Sequence, residues 1–141
     1  MENKKAIIVF NDDDPVLARV ARAKFQKATG WDFIITSDYQ TALTEILATK
    51  PDLLITEIIL KDGKGRNGID LIKEVRGSES GSHFTIAVLS TLTQAEDKAK
   101  AMEAGADYYY VKSEISIQNF ITELQNIFSK GKDTPAEPPS S

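Results

Sequence analysis

Residues 51–60 read PDLLITEIIL. Leu53, Leu54 and Ile55 are apolar without alternation, and Ile58, Ile59 and Leu60 resume the run past Glu57. A strand with one wet face alternates apolar and polar residues. A continuous run of this length belongs to a strand covered on both faces, as in a parallel sheet with helices above and below. The stretch carries one carboxylate at its far end, Glu57, set between apolar neighbours. An acid at the end of a core strand is a candidate functional group.

Working outward, four more strand-like runs appear: KAIIVF (5–10), DFIIT (32–36), FTIAVLS (84–90) and DYYYV (107–111). Helical periodicity fills the segments between and after them. In the first, Val16, Val20, Phe25 and Ala28 recur at spacings that suit one helix face. The second opens with Ser37 and Gln40 at capping-box spacing. The fourth opens with Thr93 and Glu96 in the same pattern and closes at Gly105. Ile117, Phe120, Ile121, Leu124, Ile127 and Phe128 form the clearest amphipathic stripe, and a weaker pattern spans about 67–76. Alternation of this kind predicts an α/β fold, a doubly wound five-stranded parallel sheet of flavodoxin-like (βα)₅ type.

The 141 residues suit one domain at 1–129, followed by a Pro/Ser-rich segment at 130–141 expected to be disordered. Net charge is −4 with no basic stripe, which disfavours nucleic-acid binding. There is no cysteine, which excludes thiolate chemistry and disulfides. The apolar run in MENKKAIIVF is too short for a signal peptide or membrane span, so a cytoplasmic location is expected.

In doubly wound sheets the working site lies beyond the carboxyl ends of the strands. Strand one leads into Asn11, Asp12, Asp13 and Asp14, then Pro15. Asp14 suits an N-cap with Pro15 in the first helical position. That leaves Asp12 and Asp13, which with Glu57 make an oxygen-rich set suited to Mg²⁺. Strand four ends at Ser90 and Thr91, and strand five leads into Lys112. A metal, a hydroxyl and an ammonium together suit the oxygens of a phosphoryl group.

Taken together, DDDP (12–15), PDLLITE (51–57), LST (89–91) and EAGADYYYVKS (103–113) resemble the response-regulator receiver domain, the CheY-like module of two-component phosphorelays. The resemblance covers residues 4 to about 129. It implies strand order 2-1-3-4-5. It puts Glu57 at the phosphoacceptor position, Asp12, Asp13, Glu57 and the Ile59 carbonyl around Mg²⁺, and Ser90, Thr91, Tyr109 and Lys112 in the phosphate-binding and switch roles. It also implies a histidine kinase or other signalling protein as partner, meeting the surface formed by 93–129. A homodimer through that face is compatible with the sequence and not required by it.

The sequence departs from the family pattern in several places. Glu57 replaces the acceptor aspartate. Ser113 replaces the proline that usually follows the lysine through a cis bond, so a trans bond is expected there. Asn11 stands where a valine is frequent, and the loop KDGKGRNG (61–68) is longer than the common form. The added methylene of glutamate moves its carboxylate by about 1.5 Å. A misplacement of about 1 Å costs on the order of 100-fold in rate. Its charge of about −1 only partly imitates the −1.5 to −2 of a phosphorylated side chain. The module is therefore read as phosphorylation-impaired or phosphomimetic, acting through protein contacts and not as an enzyme.

Other signals carry less. GKGRNG (63–68) has the literal dinucleotide spacing but follows the third strand, not the first, and reads as a glycine-rich surface turn. DDDPV (12–16) also fits the nucleophile motif of haloacid-dehalogenase-like phosphatases, the rival reading, with Asp12 attacking a phosphate ester. The single histidine, His83, sits in a polar segment and reads as a solvated loop residue. Trp31 reads as packing at the sheet end away from the site. Tyr108 and Tyr110 should share one sheet face and Tyr109 take the other.

Overall fold

The computed structural model describes residues 4–10, 15–60, 62–78 and 84–129, with backbone alone for 15–18 and 21. The expected Asp14 cap, His83 and the 130–141 segment lie outside the described residues.

The elements run β1 (Lys5–Val9), α1 (Pro15–Thr29), β2 (Asp32–Thr36), α2 (Tyr39–Thr49), β3 (Leu53–Thr56), α3 (Gly68–Arg76), β4 (Thr85–Ser90), α4 (Ala95–Ala104), β5 (Tyr108–Val111) and α5 (Ile117–Ser129), with a 3₁₀ turn at Lys112–Glu114. All strand pairs are parallel, and the order is β2-β1-β3-β4-β5. β3 sits at the centre, and all four of its residues are buried. The unbroken apolar run has its cause there, since helices cover both faces of the strand.

Two apolar layers flank the sheet. Ile7, Val9, Leu54, Ile86 and Val88 face α2, α3 and α4 with Tyr39, Ile46, Leu71 and Ala101. Ala6, Ile8, Leu53, Ile55 and Leu89 face Phe25 of α1 and Phe120, Ile121 and Leu124 of α5. Tyr109 packs in the first layer and Tyr108 and Tyr110 in the second, as strand alternation requires. Trp31 stacks on Phe33 and meets Phe128 edge-on before the start of β2, away from the strands' carboxyl ends.

At that same far end, Arg76 closes α3 onto β4 and β5. Its guanidinium donates to the carbonyls of Gly105 and Phe84 and to Asp107, and the Asp107 carboxylate also receives the Ile86 N–H. Gly105 caps α4 at φ 127°, a conformation open to glycine, with the Arg76 side chain against it.

Three local expectations are corrected. Asp38, not Ser37, caps α2, accepting from the Thr41 N–H at 2.7 Å. Gln94 is the N-cap of α4 and makes no side-chain capping bond, so Thr93 and Glu96 form no capping box. Val20 is exposed, not core-facing. Among the described residues no helix is long and apolar enough to cross a membrane.

Candidate functional site

The C-terminal ends of β3, β4 and β5 converge. Thr56 pairs with Val88 and with Val9, and Ser90 with Val111, so Glu57, Ser90 and Lys112 come to one edge of the sheet. Glu57 is held at its backbone. Its N–H donates to the Val9 carbonyl at 3.2 Å, and its own carbonyl accepts from the Thr56 hydroxyl at 2.9 Å.

The glutamate side chain is 8% exposed, and its Oε2 accepts from Lys112 Nζ at 2.6 Å. Lys112 lies with its ammonium 5.6 Å from the Phe10 ring centroid. A buried carboxylate without a counter-charge is costly, and this lysine supplies it. Ser90, itself buried, uses its Oγ to accept the Leu92 N–H at 3.1 Å.

Tyr109 reaches the same peptide segment from β5. Its hydroxyl donates to the Leu92 carbonyl at 2.9 Å. Ser90 and Tyr109 therefore grip Leu92 by its N–H and C=O, fixing the start of the β4–α4 connection. Burial raises the Tyr109 phenol above its ordinary value, an effect the nearby Ser90 hydroxyl partly offsets. Thr91 is exposed beside this grip.

The described part of the loop after β3 is ordered by its own side chains. Asp62 receives the Arg66 N–H and two guanidinium donors, and these bonds hold its carboxyl down to about 2. The Arg66 guanidinium lies 3.9 Å from the centroid of the Tyr39 ring, and the Tyr39 hydroxyl donates to Glu74 of α3 at 2.7 Å. Burial, with the Glu74 acceptor, pushes the Tyr39 phenol far above its usual value. This part of the loop is thus folded back onto α2. Gly68 is not the surface-turn glycine that the GKGRNG pattern predicts. It is buried, donates to the Ile58 carbonyl at 2.7 Å, and a Cβ there would stand 2.0 Å from the Glu57 carbonyl oxygen. Sequence reasoning missed this residue. A glycine opening a helix one short loop after a core strand was the available signal.

The peptide after Lys112 is trans, as Ser113 predicts. Asp12 and Asp13 follow β1, whose Val9 pairs with Thr56, but both lie outside the described residues. Among the described residues there is no group of three acids or histidines able to hold a metal. Ile59 extends from the loop just after Glu57, its side chain exposed.

The model of the response regulator receiver domain family matches residues 7–125. The DNA-binding response regulator MtrA of Mycolicibacterium smegmatis is 29% identical over 137 residues, covering 97% of this chain and 57% of that protein. The chain therefore spans little more than half of that relative. The Francisella response regulator 1452 receiver domain superposes with a TM-score of 0.76 at 25% identity, over 92% of this chain and all of the other. The receiver domain of the Pseudomonas aeruginosa sensor histidine kinase PA1611, crystallised with magnesium in its active-site cleft, superposes with a TM-score of 0.72 at 20% identity, over 92% of this chain and 97% of the other, a likeness of fold alone.

Proposed function

Because the chain belongs to the response regulator receiver domain family, we propose that residues 1–129 form a two-component signalling module whose switch is held by its own Glu57. The observation that carries this is the 2.6 Å contact between Glu57 Oε2 and Lys112 Nζ. An acceptor aspartate would end about 1.5 Å short of that point, leaving the lysine for a phosphoryl oxygen. Glutamate fills the gap with a fixed negative charge. The Ser90 and Tyr109 contacts to Leu92 support the same reading, because they fix the β4–α4 connection without a phosphoryl group.

The donor set fits Mg²⁺. Carboxylates of Asp12, Asp13 and Glu57 with the Ile59 carbonyl are all hard oxygen ligands. Bound there, Mg²⁺ would neutralise charge on an incoming phosphoryl group. Glu57 would hold it by its carboxylate while also accepting from Lys112. On this reading the output surface is 93–129 and the partner a histidine kinase or another signalling protein; the exposed Met102 supports it. Function through contacts, without turnover and in the cytoplasm, completes the reading.

The test is a Mg²⁺ titration, with and without beryllofluoride, of the protein and its Glu57→Asp variant, followed by amide NMR shifts. The expected result is that Glu57→Asp responds to beryllofluoride and moves toward the spectrum of the parent. If the parent itself takes up beryllofluoride with large shifts at Ser90, Leu92 and Tyr109, Glu57 is not holding the switch.

A further inference from the structure

An apolar cavity of about 140 Å³ adjoins the site, walled by Phe10, Leu89, Ile115, Ile117 and Phe120, with Lys112 and Ser116 supplying its polar lining. Lys112 is the residue it shares with the Glu57 contact. A cavity of about 150 Å³ with apolar walls stays dry and takes up a molecule of benzene size. This one differs in having Lys112 among its lining residues, with Nζ 5.6 Å from the ring centroid of Phe10 on the same wall.

We propose that this cavity binds a small neutral compound with one aromatic ring and one hydrogen-bond acceptor, the ring among the apolar side chains and the acceptor on Lys112 Nζ. Charge decides against an anion. Lys112 is already matched by Glu57 at 2.6 Å, and a second anion beside that carboxylate would be repelled. A cation would meet Lys112. A neutral acceptor meets neither penalty, and an ammonium has three donors, of which Glu57 takes one. Ser116 accepts the Asn119 N–H through Oγ, so it is engaged in opening α5. The chain's own 130–141 segment has no large apolar residue to fill the space.

Lys112 would then serve both sites. A ligand acceptor that draws the ammonium toward the cavity weakens its hold on Glu57, which makes the cavity an input to the switch. Binding itself does not depend on the proposed signalling role, so the two fail separately.

The experiment titrates the full chain with acetophenone and follows amide shifts together with the Glu57 side-chain carboxyl carbon. Saturable shifts are expected at Phe10, Leu89, Ile115, Ile117 and Phe120, with a matching shift at the Glu57 carboxyl. Affinity should fall at least tenfold in Ile117→Phe, which fills the cavity from α5, and in Ile115→Phe, which fills it from the loop. Should either variant lose its native spectrum, NOEs from the acetophenone methyl to the Leu89 and Ile117 methyls in the parent decide the location. Non-saturating drift, shifts centred elsewhere, or undiminished binding in natively folded filled variants would each overturn the proposal. Binding without a Glu57 response would overturn its link to the switch.

Discussion

Replacing Gly68 by alanine tests how tightly α3 is seated on the end of β3. The added Cβ would lie 2.0 Å from the Glu57 carbonyl oxygen, 2.9 Å from its carbon and 3.0 Å from Ile58 Cα. An unstrained carbon–oxygen contact is about 3.3 Å or more, so something must move by more than 1 Å. All three obstacles are backbone atoms, so no rotamer change relieves the clash. Overpacking of this kind costs about 1–3 kcal/mol. The 2.7 Å hydrogen bond from Gly68 to Ile58 is stretched as well, adding about 1 kcal/mol. Better helix propensity returns at most about 1 kcal/mol. The net is a loss of about 1–3 kcal/mol, or roughly 4–12 °C in Tm for a domain of this size. Gly63→Ala is the control, since a Cβ there meets nothing within 4 Å, and it should leave Tm nearly unchanged. Thermal denaturation by circular dichroism reads both. If Gly68→Ala melts with the parent or above it, propensity dominates and the close seating of α3 is not a constraint.

Lys112→Met should destabilise by about 2 kcal/mol, below the 3–5 typical of fully buried pairs because the lysine side chain is a quarter exposed. The double variant with Glu57→Gln should recover part of that, and urea unfolding that shows no coupling would refute the pairing. Tyr39→Phe removes the bond to Glu74 and should cost about 1 kcal/mol. Asp62 has its folded pKa lowered to about 2, so the stability it lends is present above the unfolded value near 3.9 and is lost as pH falls toward 2. Arg66→Gln should therefore flatten the acid limb of the stability curve between about pH 4 and 2, and an unchanged limb would show the contact to be inert. No Mg²⁺-dependent hydrolysis of p-nitrophenyl phosphate is expected; activity lost in Asp12→Asn would instead establish the phosphatase reading.

The sheet was legible because its inner strands β1, β3 and β4 are buried on both faces, which leaves runs such as Leu53–Ile55 without polar interruption. α5 was legible for a related reason, its apolar stripe repeating at helical spacing against one layer. Helix starts were less legible. Ser37 and Asp38 are both good caps by residue type, and the choice fell to Asp38, which places its carboxylate on the Thr41 N–H. Lys112 and Glu57 were named from their strand ends, but their contact depends on the parallel register, which brings positions 55 residues apart together. The Arg66–Tyr39 stack joins a loop to a helix two elements earlier, and no local pattern marks such a pair.

The choice of glutamate over aspartate has a geometric consequence because the backbone at 57 has little room to absorb it. Val9 and Thr56 hold the residue's N–H and C=O, and Gly68 stands directly against that carbonyl. The extra methylene is therefore expressed at the carboxylate, where it ends 2.6 Å from Lys112 Nζ. Shortening to aspartate with the same backbone would open that contact to roughly 4 Å, beyond hydrogen-bond range. The lysine must then move, take water, or receive another oxygen. Only the last couples the site to a phosphoryl donor. Glu57→Asp therefore changes what Lys112 can bind more than it changes the charge of the site, and the Lys112 ammonium resonance is where that difference should be read. A lysine signal equally protected from solvent exchange in both variants would mean that the methylene is absorbed elsewhere and that Glu57 is merely a tolerated carboxylate.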